Sequence, residues 1–192
     1  MFPTTIWTTI RQAAEDDDAA RERFAALYLA PVTSYVKRRG MSEHDSEDLA
    51  QDVFVKLFRS DLLSRADRDK GRFRSLLLTV TKRVVQDRLR KKTATPVEDL
   101  EIVERDEEFD REWVTHLLAR SLERLREDGS PYYQVLKDHL AGHKKKEHTR
   151  NQLWIARRKL LALIRHEVAL TCSSHADLED ELEYLSHYLK VE

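Results

Sequence analysis

Two amphipathic segments of opposite charge follow each other between Asp45 and Lys92. In the first, acidic residues precede an apolar stripe; in the second, arginines and lysines surround an apolar face. Apolar residues that recur every three or four positions form one side of an α-helix. The pattern therefore predicts two consecutive helices with different partners. The acidic helix can dock on a basic or mixed protein surface, and the basic helix can hold nucleic acid.

The rest of the chain also favours helices. Charged residues make up 36% of its 192 residues and only four are glycine, which disfavours a fold with many tight turns. A short helical pattern covers Thr4–Ala14, and a longer one begins at the capping residues Asp16–Asp18 and runs to about Arg39. Pro31 is expected to kink or break the second of these helices, and Gly40 to follow its end. We expect an all-α protein.

The net charge of −1 conceals blocks of alternating sign. The net charge is +7 over residues 72–92, −7 over 98–112, +7 over 137–165 and −5 over 175–192. Pro96 and the acidic run mark a linker between two small helical domains, or else a folded acidic strap, because Leu100, Ile102 and Val103 are apolar. The predicted organisation is a first domain, an acidic linker, a second helical domain and an acidic amphipathic C-terminal helix, at residues 1–92, 93–108, 109–170 and 171–192.

Several functional classes are disfavoured. No apolar run approaches the roughly 20 residues of a membrane span, and the N-terminus does not resemble a signal peptide. A single cysteine, Cys172, fits a reducing cytoplasm. His139, His143 and His148 lack the cysteines of a typical zinc site, and no phosphate-binding loop or nucleophile elbow is present. We therefore expect no catalytic residue, metal or cofactor, and no enzyme activity.

Two motifs carry a resemblance to a known family. Residues 45–57 read DSEDLAQDVFVKL, which is similar to D-A-E-D-L-x-Q-E-x-F-x-x-L of the extracytoplasmic function (ECF) sigma factors of bacterial RNA polymerase. Residues 71–83 read GRFRSLLLTVTKR and are followed by DRLR, which resembles G-x-F-R-x-W-L-x-x-I-A-x-N and D-x-x-R. Leu76 stands at the family's Trp position and Arg83 at its Asn position. The motifs occur in the family's order and at its spacing.

The resemblance implies that the first domain binds core polymerase and the minus-ten element of a promoter. The residues implied to dock on the clamp helices of the largest polymerase subunit are Asp48, Gln51, Asp52 and Phe54. Residues 61–70 would capture a flipped base of the non-template strand, as melting requires that the separated strand be bound better than the duplex. The implied contacts to DNA in this domain are Arg65, Arg68, Lys70, Arg72, Arg74, Lys82, Arg83, Arg88 and Arg90.

The second domain resembles the family's helix-turn-helix domain only at its two ends. The E-I-A-x-x-L-G piece is absent, and 14 residues separate Gly142 from Arg157. One interpretation is a shortened, atypical domain that holds DNA phosphates without reading bases. The other is a domain that no longer binds the upstream element, so that another factor places the complex on DNA. The candidate contacts here are Lys144, Lys145, Lys146, Arg150, Arg157 and Arg158.

Three functions stay open. The favoured one is a cytoplasmic, ECF-type sigma factor of the sigma-70 family that binds core RNA polymerase, recognises promoter DNA and assists melting at the minus-ten non-template strand. The second is a sigma-like adaptor that docks on polymerase but is placed on DNA by a partner. The third is a small helical enzyme that uses the His or carboxylate clusters, with or without a metal ion. The acidic tail could pack on the second domain's basic helix or bind a regulator such as an anti-sigma factor.

Overall fold

The structure is a computed structural model, and it describes residues 18–59, 73–90, 105–142, 150–172 and 174–189. Within these residues it contains seven α-helices and no strand, which confirms the all-α fold. The predicted helix over residues 4–14 lies outside them. The helices are α1 (Asp18–Arg38), α2 (Glu43–Arg59), α3 (Phe73–Arg90), α4 (Glu107–Glu127), α5 (Tyr132–Leu140), α6 (Arg150–Leu170) and α7 (His175–Ser186).

The turn between α1 and α2 follows the local sequence signals. α1 continues through Pro31 without ending there. Gly40 then adopts a left-handed conformation (φ 83°), which glycine tolerates at no steric cost. Ser42 caps α2, because its Oγ accepts a hydrogen bond from the N–H of Asp45 at 3.1 Å. Glu43 and Asp45 in the first turn add the negative charge that a helix N-terminus favours.

Contacts divide the chain into two compact units, which we call the first unit (residues 1–114 and 169–192) and the second unit (residues 115–168). The division falls inside α4 and close to the end of α6. It differs from the functional domains predicted above, since it groups the first two turns of α4 and all of α7 with α1–α3. The predicted functional limits stay a prediction.

Aromatic side chains build the centre of the first unit. Phe24 lies 5.3 Å from Phe73, measured between ring centroids, and contacts Tyr28 as well. Trp113 of α4 stacks on Tyr28 with centroids 5.4 Å apart. Aromatic pairs of this kind contribute about 0.5–1.5 kcal/mol beyond the area that they bury. The start of α4 therefore completes the core of the helices that precede it.

The second unit has a smaller core, formed by the remainder of α4 with α5 and most of α6. α4 ends at a left-handed Gly129, and the N–H of Ser130 donates to the carbonyl of Leu125 at 3.0 Å. Leu140, which the spacing predicts to be buried, is 45% exposed because it lies at the end of the short helix α5. The buried apolar residues are Leu117, Leu125, Val135, Leu136, Ala156, Leu160, Ile164 and Val168.

Candidate polymerase and nucleic-acid interfaces

The outward side of α2 is acidic and exposed. Leu49, Val53 and Leu57 point into the core, so the opposite side of the helix faces solvent. Among the residues expected to contact polymerase, Asp48, Gln51 and Asp52 are all exposed there. We call this surface the α2 face; its exposed residues are Glu43, His44, Glu47, Asp48, Gln51, Asp52 and Val55.

Phe54 does not belong to the α2 face, which corrects the expectation for this residue. Its side chain is 4% exposed, and its ring centroid lies 6.1 Å from that of Phe24 and 6.3 Å from that of Phe58. It can support the α2 face from behind but cannot touch a partner in this conformation. The apolar residue that the face does present is Val55, 44% exposed. Its spacing of four and three residues from Gln51 and Asp52 would have revealed it.

Arg74 is also buried, and it is not available to DNA. Its guanidinium is enclosed by carboxylates from two distant helices: Nε donates to Glu181 Oε1 of α7 at 2.6 Å, and Nη1 donates to Asp110 of α4. All three side chains are at most 2% exposed. We therefore remove Arg74 from the set of residues expected to bind DNA phosphates, and we call Arg74, Asp110 and Glu181 the buried triad.

Tyr184 completes the surroundings of the buried triad. Its hydroxyl donates to Asp110 Oδ2 at 2.5 Å, and its ring lies 5.0 Å below the guanidinium carbon of Arg74. Burial lowers the pKa of Arg74, but the charges of Glu181 and Asp110 outweigh that effect and raise it. Burial also raises the pKa of Asp110, against the opposing effect of Arg74. The arginine is thus held in its charged form.

Lys82 lies at a second ionic cluster, centred on Asp106. Its Nζ is 2.7 Å from Asp106 Oδ2, which also accepts from Arg39 at 3.0 Å and from the hydroxyl of Tyr35 at 3.1 Å. The other carboxylate oxygen accepts from the N–H of Phe109 at 3.2 Å and so caps α4. Burial pushes the pKa of Asp106 up, but these hydrogen bonds outweigh burial and lower it. The end of the predicted acidic linker is therefore attached to α1 and α3.

Arg88 forms a weaker contact. Its Nη2 lies 3.0 Å from Asp45 Oδ1 of α2, and both side chains are about two-fifths exposed, at 41% and 43%. Exposed ion pairs of this kind contribute about 0–1 kcal/mol. A DNA phosphate can compete with Asp45 for this arginine far more easily than it could reach Arg74.

Arg83 and Arg90 lie on the outward side of α3. They are seven residues apart, which places them on one stripe of the helix together with Leu76, seven residues earlier. Both arginines are partly exposed, and within the residues that the structure describes neither forms an ion pair. Gln86 is exposed between them. We call Leu76, Arg83, Gln86 and Arg90 the α3 stripe.

The basic residues of the second unit lie on α6. Arg150 and Arg158 are exposed, and the guanidinium of Arg158 lies 4.8 Å above the ring of Trp154. Trp154 is 56% exposed, and the sequence reasoning above did not single it out. Arg157 is half-buried and its Nη2 donates to His139 Nε2 at 2.8 Å. Residues 150, 154 and 158 are four apart and share one side of α6, which we call the α6 face.

Several candidate residues cannot be placed. The predicted DNA contacts that lie outside the described residues are Arg65, Arg68, Lys70, Arg72, Lys144, Lys145 and Lys146. The same holds for His143 and His148. In the described ranges, no three His, Cys, Asp or Glu side chains come together in a way that could hold a metal ion. None of the described helices is long and apolar enough to cross a membrane.

A comparison with known families finds a match in the region of the first three helices. Residues 24–95 match the family described as Sigma-70 region 2, and this range covers most of α1 and all of α2 and α3. No curated protein and no solved structure matches the chain significantly. The family match supports a sigma-70 family factor, with roles in transcription, RNA polymerase binding and DNA binding. α4–α7 lie outside the matched range.

Proposed function

We propose that this protein is a sigma factor of the ECF type, which binds core RNA polymerase in the cytoplasm, guides it to a promoter and assists melting of the minus-ten region. The observation that carries the proposal is the placement of two surfaces within the sigma-70 region 2 match. The α2 face is acidic and outward, and the α3 stripe is basic and outward on the next helix. The role is that of an initiation factor and not of an enzyme.

The α2 face is the proposed polymerase-docking surface. Asp48, Gln51 and Asp52 supply charge and hydrogen-bonding groups, and Val55 adds an apolar contact near them. Interfaces that combine an apolar centre with charged groups gain specificity and association rate from the charges. The expected partner surface is the pair of clamp helices of the largest polymerase subunit, which should present basic residues to this face.

The α3 stripe is the proposed site for the non-template strand. Arg83 and Arg90 can hold successive phosphates, and Lys82 and Arg88 can join them by exchanging a carboxylate for a phosphate. A basic track of this kind binds a separated strand whatever its sequence. Base recognition is assigned to residues 61–70, following the resemblance given above.

The second unit is proposed to hold duplex DNA through phosphates. Arg150 and Arg158 on the α6 face are exposed, and Trp154 supports Arg158. Such contacts position a protein on DNA without reading its sequence.

A regulator such as an anti-sigma factor, or a recruiting partner, is part of the same proposal. Its contact would lie on the exposed side of α7, which carries Glu179 and Asp180.

Transcription in vitro tests the function directly. Core polymerase is incubated with a pool of random promoter-length DNA, with or without this protein, and the transcribed templates are sequenced. Enrichment of a defined minus-ten motif is the expected result. Polymerase binding without template selection would instead establish the adaptor, and absence of binding would overturn both.

The docking surface has its own test. Gln51→Ala combined with Asp52→Lys should weaken binding to core polymerase by at least about tenfold, since it removes a hydrogen-bonding group and reverses a charge at the interface centre. Asp128→Lys, an exposed reversal in the second unit, is the matched control and should bind like wild type. Equal affinity of the two variants would reject the α2 face as the docking surface.

A further inference from the structure

The C-terminal helix α7 packs against the rest of the first unit through one buried stripe. Leu178, Glu181 and Leu185 are three and four residues apart, and all three are buried. Ser174 caps the helix by accepting from the N–H of Asp177 at 3.1 Å. A helix of 12 residues is marginal by itself in water, so its packing against the first unit is what maintains it.

The middle residue of this stripe, Glu181, is charged. An apolar residue would be expected there if the stripe served only to attach the helix. Removing two charged groups from water costs several kcal/mol per ion, and apolar residues of similar size often stabilise a fold equally well or better. A buried, directional ion pair does restrict the packing to one register. The contact of Glu181 with Arg74 at 2.6 Å therefore favours a positioning role over a purely stabilising one.

The residue that Glu181 holds lies on the opposite side of α3 from the α3 stripe. Arg83 follows Arg74 by nine residues, which at about 3.6 residues per turn is two and a half turns and hence half a rotation. Arg74 also belongs to the first turn of α3. The buried triad therefore holds α3 at its first turn, on the side opposite Arg83 and Arg90, which face outward.

We propose that α7 is a positioning element for the strand-holding helix α3. Glu181 and Tyr184 are the positioning residues: Glu181 acts on Arg74 directly, and the hydroxyl of Tyr184 acts through Asp110. Together with α4 they fix the rotation and axial position of α3, and so the direction in which the α3 stripe meets DNA. The inference rests on the proposed function, and it gives the acidic C-terminal segment a task in DNA opening that is separate from any regulator.

The test compares two isosteric substitutions on the same helix. Glu181→Gln removes the buried charge, and Glu183→Gln makes the same change at an exposed position of α7. Tyr184→Phe is the second test variant, because it deletes only the hydroxyl group that donates a hydrogen bond to Asp110. Each full-length protein is measured with core polymerase on one selected promoter, for polymerase affinity and for opening followed by 2-aminopurine fluorescence. The temperature is chosen so that circular dichroism shows every variant fully folded.

We expect Glu181→Gln and Tyr184→Phe to slow opening by about 3- to 30-fold, as is typical of positions that transmit a coupling between elements. Polymerase affinity should stay within about twofold of wild type, since the α2 face is intact. Opening at the wild-type rate by both folded variants would overturn the positioning role while leaving the proposed function standing. Wild-type protein that neither binds polymerase nor opens the promoter would overturn both.

If Glu181→Gln does not fold at any accessible temperature, Tyr184→Phe alone decides. It keeps the three charged side chains of the buried triad and the aromatic ring, so its fold should persist. A slowed opening then supports the positioning role, and an unchanged opening rejects it.

Discussion

Three basic residues of α3 and two of α6 have different neighbours. On α3, Arg74, Lys82 and Arg88 each meet a carboxylate from another part of the chain. On α6, Arg158 lies on the ring of Trp154 and Lys159 on the ring of Tyr132, at 4.8 Å and 5.3 Å. Neither Arg158 nor Lys159 forms an ion pair with a described residue.

The difference shows that a basic residue in a basic helix can either hold the fold together or stay available to bind an anion. A carboxylate that is buried with an arginine commits that arginine to the architecture, because separating them would leave a charge in the core. An aromatic ring supports a cation without neutralising it, and the cation stays able to attract an anion. The four predictions that follow test this division, in order of decreasing effect.

Arg74→Met should be the most damaging change. It leaves Asp110 and Glu181 buried without their cation, which we expect to lower the free energy of unfolding by about 3–5 kcal/mol. Urea denaturation followed by circular dichroism measures the effect. The same substitution at Arg158 on α6 is the control and should change the stability by less than about 0.5 kcal/mol. Similar losses at the two positions would break the comparison.

Arg83→Gln with Arg90→Gln should leave the fold intact and weaken DNA binding. Loss of two phosphate contacts should lower the affinity of the polymerase complex for a premelted promoter by about tenfold and reduce the salt slope by about 1.4, since each contact to a single strand contributes about 0.7. A titration at several salt concentrations measures both quantities. An unchanged slope would exclude the α3 stripe from the DNA track.

Asp106→Asn should lower the free energy of unfolding by an amount that depends on pH. The lowered pKa of Asp106 means that its contribution to stability is complete above the ordinary aspartate pKa of about 3.9 and is lost as the pH falls through the lower folded-state value. We expect a cost of about 1–2 kcal/mol at pH 7. That difference from wild type should shrink in unfolding experiments carried toward pH 2. A difference that grows on acidification would contradict the ionic role of this residue.

Arg158→Gln should have the smallest effect. Its exposed side chain supports little of the fold, so the stability should change by less than about 0.5 kcal/mol. Loss of one phosphate contact should reduce the salt slope of duplex binding by about 1. Filter binding of the polymerase complex to duplex promoter DNA measures the slope. A slope equal to that of wild type would mean that the α6 face does not contact DNA.

The helices could be predicted from the sequence because each depends on neighbouring residues. The apolar spacing of α2 and α3, the cap at Ser42 and the left-handed turn at Gly40 all lie within a few positions of what they determine. The outward position of Gln51 and Asp52 follows from the same spacing. Local periodicity is sufficient for features of this range.

Arg74 and Phe54 could not be assigned correctly by the same reasoning, because their environments come from far along the chain. In the sequence, Arg74 cannot be distinguished by residue type from the arginines that face outward. Its two carboxylate partners are 36 and 107 residues away along the chain. Its place three and four residues before Leu77 and Leu78, both buried, was the available signal. The linker prediction included Asp106 for a similar reason, since its cations Arg39 and Lys82 lie just after α1 and on α3.

The buried triad also sets an order for biosynthesis. A ribosome releases Arg74 long before Glu181, and the two are separated by 107 residues. Until α7 emerges, the guanidinium has at most the carboxylate of Asp110 beside it, and the N-terminal helices carry an incomplete core. Contacts that are distant in sequence form late, and partly built cores are prone to association. A nascent chain of this protein should therefore leave the surroundings of Arg74 incomplete until α7 has been synthesised.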